Sequence, residues 1–190
     1  MFKRAFALLL VLLALPVLAD EKAKPSGPLR PGPEHKKLAY FAGTWSMEGE
    51  MKPSPIGPGG KLTATDSCSW FTGGFHLVCK SSAKGAMGSF AGLAIMGYNG
   101  DEKVYTYIGI NSMGMAESAV GKVDNNIWIY TNKSTLGGKE YSGRYSIDTS
   151  NADTYTFKYE ISEDGKTWNT VEEGKNTRVK KEAKPGAVSR

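Results

Sequence analysis

From Thr44 onward the dominant period of the chain is two, with polar and apolar side chains alternating in run after run between turns. A period of two sets the two faces of a β-strand apart and leaves no continuous stripe for a helix. Trp45, Met47, Gly49 and Met51 alternate with Thr44, Ser46, Glu48 and Glu50. The clearest case is Thr154–Ser162, with Tyr155, Phe157, Tyr159 and Ile161 on one face and Thr156, Lys158 and Glu160 on the other. Similar runs predict strands over Lys61–Phe71, Phe75–Ser81, Phe90–Asn99, Lys103–Asn111, Met115–Val123, Ile127–Lys133, Glu140–Asp148 and Thr167–Val179. Turn formers separate them: Asn99-Gly100-Asp101, Asp124-Asn125-Asn126, Gly137-Gly138, Ser150-Asn151-Ala152-Asp153 and Glu163-Asp164-Gly165-Lys166. About ten strands with short links and one dry face each must bury those faces together. Closure also removes the unpaired edges of a long open sheet, and hairpin links between neighbours favour an up-and-down path over a Greek-key sandwich. The expected fold is an all-β, antiparallel up-and-down barrel. A short N-terminal helix precedes it, with Pro33 at its start, Leu38, Tyr40 and Phe41 as apolar positions and Gly43 as its stop.

The ends read differently. Lys3 and Arg4 are followed by the uncharged run Phe6 to Leu15, a break at Pro16, and Val17-Leu18-Ala19 before Asp20. That is the pattern of a cleavable signal peptide over residues 1–19. The apolar run is about ten residues, well short of the roughly 20 that span a bilayer. No cysteine follows the cleavage position to take a lipid. The expectations are a periplasmic or secreted protein with no integral span once cleaved near Ala19, a Pro-rich linker over 20–33, a barrel domain over 34–179 and a basic tail over 180–190. The signal holds two of the 24 Lys and Arg and none of the 19 Asp and Glu, leaving 22 cations against 19 anions. So mild an excess, with no basic patch among aromatics, points away from nucleic acid.

Cys68 and Cys79 are the two cysteines of an exported chain, and a hairpin over Thr72 to Phe75 sets them opposite each other. A four-residue loop puts them at the closer, non-hydrogen-bonded kind of pair, which suits a disulfide.

Phe41-Ala42-Gly43-Thr44-Trp45, a helical turn running into Gly-x-Trp at the first strand, resembles the opening of the lipocalin and fatty-acid-binding-protein (calycin) superfamily. The resemblance implies that Trp45 sits at the closed end of the barrel under a basic residue of the last strand, for which Arg178 is the candidate. Four further runs, Pro31 to Leu38, Gly73 to Cys79, Ile95 to Asn99 and Asn111 to Gly114, together resemble a family of uncharacterised secreted bacterial proteins, a domain of unknown function. This similarity covers residues 31–179. It implies a calycin-like barrel and an envelope location, and no activity.

The sequence offers no catalytic constellation. There is no Gly-x-Ser-x-Gly elbow, no phosphate-cradling loop opening a helix, and no histidine placed to activate a thiol. His76 is considered as a haem or metal ligand, but alternation with Leu77 and Cys79 turns it outward. His35 lies among lysines. Met87, Met96, Met113 and Met115 are the residue type that binds Cu(I), yet they equally fill irregular apolar space. No cofactor is expected. Asp66 shares parity with Leu62, Ala64, Cys68 and Trp70, and is expected to point inward toward Arg144 or Arg178. The remaining signal is aromatic surface beyond what closure of a barrel needs, with glycines such as Gly92, Gly97, Gly109 and Gly121 clearing space. Trp70, Met96, Tyr98, Tyr107, Trp128, Arg144 and Tyr159 are the expected ligand-binding residues, with Trp45 and Arg178 structural. The expected partner is a small apolar or amphipathic molecule held inside the barrel. The alternatives are a barrel enzyme of isomerase or hydrolase type and a filled barrel that acts as an envelope interaction module. Oligomeric state leaves no mark on the sequence.

Overall fold

The computed structural model describes residues 29–180. The expected signal peptide, all of the linker up to residue 28 and the tail from 181 lie outside the described residues. Ten antiparallel strands close into one barrel, each paired with its neighbours in sequence and the last with the first. They are β1 Gly43–Met51, β2 Gly60–Trp70, β3 Leu77–Gly85, β4 Gly88–Asn99, β5 Val104–Asn111, β6 Ala116–Asp124, β7 Ile127–Leu136, β8 Lys139–Asp148, β9 Thr154–Ser162 and β10 Asn169–Arg178. A short helix α1, Pro33–Lys37, and a 3-10 turn, Leu38–Phe41, precede β1. The up-and-down barrel with its leading helix is as the alternation predicts. β3 is the strand whose extent differs most: it begins two residues later than expected and runs on through Ser82 to Gly85, pairing there with residues 88–91 of β4.

One end of this barrel is plugged. The helical lead-in lies across it, with Leu38 fully buried and Phe41 4% exposed. Phe41 meets Trp128 and Tyr155 edge to face, with ring centroids 5.2 and 5.6 Å apart. Trp45 is fully buried beneath them and donates its indole N–H to the Phe41 carbonyl at 2.9 Å. Arg178 seals this layer from the last strand. Its guanidinium stacks 4.1 Å above the Trp45 ring and donates to the carbonyls of Ala42 and Tyr40, each at 2.8 Å. The α1 end is tied down by Tyr105, whose hydroxyl donates to Glu34. So short a helical segment is not stable alone, and burial of Leu38 and Phe41 is what holds it.

The Cys68–Cys79 disulfide is formed, with a Cα–Cα distance of 4.0 Å. Phe71 N–H bonds the His76 carbonyl at 2.8 Å, so the loop holds the four residues Thr72 to Phe75. The cysteines therefore fall at a non-hydrogen-bonded pair, where backbones approach closest. At the seam where β1 meets β10, Gly49 faces Gly174. A Cβ on Gly174 would lie 2.7 Å from the Glu48 carbonyl oxygen and 2.8 Å from the Gly49 Cα. Two glycines let the first and last strands come this close.

Candidate functional site

Accessibility along the barrel axis separates a dry half from a wet one. Next to the plug, the inward side chains Leu77, Tyr105, Trp128, Ile147 and Phe157 are all buried. Farther from the plug, many inward residues are smaller or polar. Ala64, Asp66, Ser81, Gly92, Ala94, Ala119 and Asn132 are only half-buried. Glu117, on the inward face of β6 opposite Gly109, is exposed. Burial nonetheless raises its carboxyl above the usual range. Both facts hold for a side chain flanked by protein yet reached by water. Between the plug and a second buried cluster of Tyr141, Ile161 and Val171 near the far end, the inward face is thus a partly accessible lumen; ten strands enclose more width than such side chains fill.

Three carboxylates line it. Asp66 on β2 has a raised pKa, because desolvation outweighs the hydroxyl that Ser81 donates to it. Glu117 is raised for the same reason and faces the Tyr107 hydroxyl. Glu172 on β10 is pushed up to about 7, chiefly by burial and further by the negative charge of Glu117. It pairs with Tyr159 across β9 and with Met51 across β1. The tyrosines are held by the same environment: burial pushes the hydroxyls of Tyr107 and Tyr145 far up, and Asp66 and Glu172 push both higher. One tyrosine is held by a missing side chain. Tyr107 folds back over Gly109 on its own strand, its hydroxyl 2.8 Å from where a Cβ would stand. Since Gly109 pairs with Glu117, this brings the hydroxyl to the carboxylate. Tyr130 and Asn132 also face inward on β7; the Tyr130 hydroxyl and Asn132 Oδ1 are buried with no hydrogen-bond partner. Among the described residues no cluster could hold a metal ion through three His, Cys, Asp or Glu side chains. Chemically, Glu172 ionises where a proton donor or acceptor works at neutral pH.

The expected ligand-binding residues divide. Tyr107 and Tyr159 face the lumen, Tyr159 with its hydroxyl beside Asn132 above Gly143. Met96, Tyr98 and Trp128 belong to the plugged half: Met96 and Trp128 are buried in its core, and Tyr98 packs on Tyr105 and His35. Trp70 ends β2 beyond the plugged rim and is 37% exposed. Arg144 is not in the lumen. Tyr145 takes the inward position, so Arg144 lies on the outer wall, bonded to Glu160 at 2.9 Å and stacked 4.3 Å from the Trp168 ring. With Arg144 outside and Arg178 in the plug, Asp66 has Ser81 as its partner and not an arginine. His76 is exposed, resting on the outer side of Gly97. Glu117 and Glu172 went unrecognised in the sequence. Glu117 shares parity with Ala119, Gly121 and Val123, which could have revealed it. Glu172 alternates in step with Gly174, Asn176 and Arg178, so the placement of Arg178 over Trp45 could have revealed it; the apolar Val171, beside it at a bulge, obscured that parity.

The opposite face of the wall has features of its own. Ile108, Ile110, Val120 and Ile129, between 42% and 53% exposed, gather on the outside of β5–β7. At the open rim a recess of about 430 Å³ lies between Pro53–Pro55 and the β9–β10 loop.

A family model described as "Protein of unknown function (DUF1579)" matches residues 30–178. No curated protein matches the chain. Among solved structures, Rv2717c from M. tuberculosis superposes with a TM-score of 0.56 at 14% identity, over 78% of this chain and 99% of that one. The S-type phycobiliprotein lyase CPES from Guillardia theta gives a TM-score of 0.55 at 7% identity, over 78% and 94%. At such identities the likeness is one of fold, and it agrees with the calycin-type barrel expected from residues 31–179.

Proposed function

The chain belongs to the DUF1579 family, and we propose that it is a carrier or sensor holding a small amphipathic molecule in the lumen above the plug. The observation that carries this reading is the wet half of the barrel, where inward side chains are ringed by protein yet accessible. A rigid, half-apolar chamber with a few fixed polar groups is the usual form of a small-molecule site. Met51 and Met87 meet at the rim against Gly57, and their unbranched side chains adapt to ligands of varied shape. A neighbour of the same fold being a phycobiliprotein lyase is compatible with it. Native mass spectrometry of the protein purified from its own source tests the reading. A bound small molecule is expected; the bare polypeptide mass alone would count against it. The proposal includes export: the N-terminus of that protein should be Asp20, and a chain beginning at Met1 would remove that part.

A second reading, a barrel that docks through its wall, has the outer apolar face of β5–β7 in its favour. If a second copy covers that face, Ile108→Lys should shift the sedimentation of the protein from dimer to monomer. A wild-type chain that sediments as a monomer excludes this partner.

A further inference from the structure

The lumen carries charge of one sign. Asp66, Glu117 and Glu172 face it from β2, β6 and β10, and among the described residues no ion pair reaches any of them. The cations are elsewhere. The strand lysines Lys61, Lys80, Lys122, Lys158 and Lys175 fall at outward positions by register. Lys139 sits at the rim on Glu163, 65% exposed, and Arg178 is spent on the plug. Independently, Tyr130 is 4% exposed and turns a hydroxyl without partner into the same chamber beside Tyr107, 6.2 Å between ring centroids. Asn132 Oδ1 is likewise an unused acceptor. Carboxylates with a hydroxyl or no partner, but no cation, and idle acceptors in a low-dielectric space cost free energy unless something supplies positive charge and donors. Aromatic faces close by add attraction for a cation, and Tyr107, Tyr145 and Tyr159 provide them.

We propose that the molecule held in the lumen is cationic, an amphipathic amine or quaternary ammonium whose head lies between Glu117 and Glu172 and whose apolar tail reaches the methionines Met51 and Met87. This rests on the reading of the barrel as a container and narrows the class of its contents. The groups facing Glu172 are Tyr159 on β9, Met51 on β1, Tyr145 on β8, Tyr107 on β5 and Glu117 on β6; Lys52, next to Met51, is held by Glu50 and Glu173. None of the facing groups is a cation, so among the described residues none competes there for the ammonium head. Binding ionises Glu172 and expels its proton; affinity therefore rises with pH through about 7.

Three probes with one tail separate the possibilities: octyltrimethylammonium, 1-octanol and octyl sulfate, titrated calorimetrically into the protein at pH 6 and pH 8. The cation should bind at least about tenfold more tightly than the other two at pH 8, and about tenfold more tightly at pH 8 than at pH 6. Glu172→Gln and, separately, Glu117→Gln should reduce the preference for the cation, each checked for fold by circular dichroism, while Glu160→Gln on the outer wall should keep it. If octanol or octyl sulfate binds as well as the ammonium, the cation is wrong and the container stands. If none of the three binds, both fall.

Discussion

At the scale of single residues, two side chains carry opposite kinds of consequence. Glu172 is held protonated up to about pH 7, above its ordinary 4.5. The native state binds that proton more tightly than the unfolded chain. Its contribution to stability is therefore whole below about pH 4.5, drains away as pH rises, and is gone above 7. Asp66 and Glu117 are raised and act in the same direction. Glu172→Gln should leave stability near pH 4 unchanged and raise it at pH 8 by about 2–3 kcal/mol, measured by urea unfolding at both values. An equal effect at the two values would mean that the buried charge is not the cause. Arg178 is the converse, a cation fully employed. Arg178→Ala removes two charge-assisted hydrogen bonds to the Tyr40 and Ala42 carbonyls and the contact with Trp45, and should cost about 2–4 kcal/mol. The Trp45 fluorescence should shift to the red as its layer opens. Trp45 and Arg178 could be read from the sequence because the resemblance has both in fixed positions. Glu172 was missed although it alternates in step with Arg178, because the apolar Val171 beside it, at the bulge that ends this register, suggests the opposite parity.

At the scale of elements, closure rests on a few local devices. The seam of β1 and β10 depends on Gly49 opposite Gly174, where a Cβ would collide with backbone that cannot move aside, and at Gly174 with the Phe157 ring as well. Gly174→Ala should destabilise by more than about 2 kcal/mol, seen as a lower midpoint of thermal unfolding, with loss of cooperativity if the seam parts. The β2–β3 hairpin has the disulfide as its staple. Its two ends are separated by 11 residues, and by loop-closure entropy reduction should cost about 3 kcal/mol, measured by unfolding with and without reductant. Intact-mass analysis without reductant showing two free thiols would contradict the pairing. Nearly all of this was legible, since turn formers and alternation fix hairpins locally. What misled was Ser82 to Gly85, whose small and charged residues read as loop but pair because β4 offers them a partner.

At the scale of the molecule, the plug and the lumen share out one barrel. The aromatic residues that suggested a binding site in the sequence went mostly to the plug, where Trp128, Tyr105 and Phe41 pack against one another. Composition cannot tell an aromatic that fills a core from one that lines a chamber; only distance from the plug decides. The lumen is lined instead by small residues, tyrosine hydroxyls and acids, the types that strand patterning treats as exceptions. A hollow upper half is tested most directly by uptake of the neutral dye N-phenyl-1-naphthylamine, comparing wild type with Ala119→Trp, which puts a large ring where a half-buried methyl faces the lumen. Wild type should brighten and blue-shift the dye at one site per chain, and the folded variant should bind it at least about tenfold more weakly. Dye binding that is unchanged by the added tryptophan, or absent from wild type, would mean that the barrel is filled.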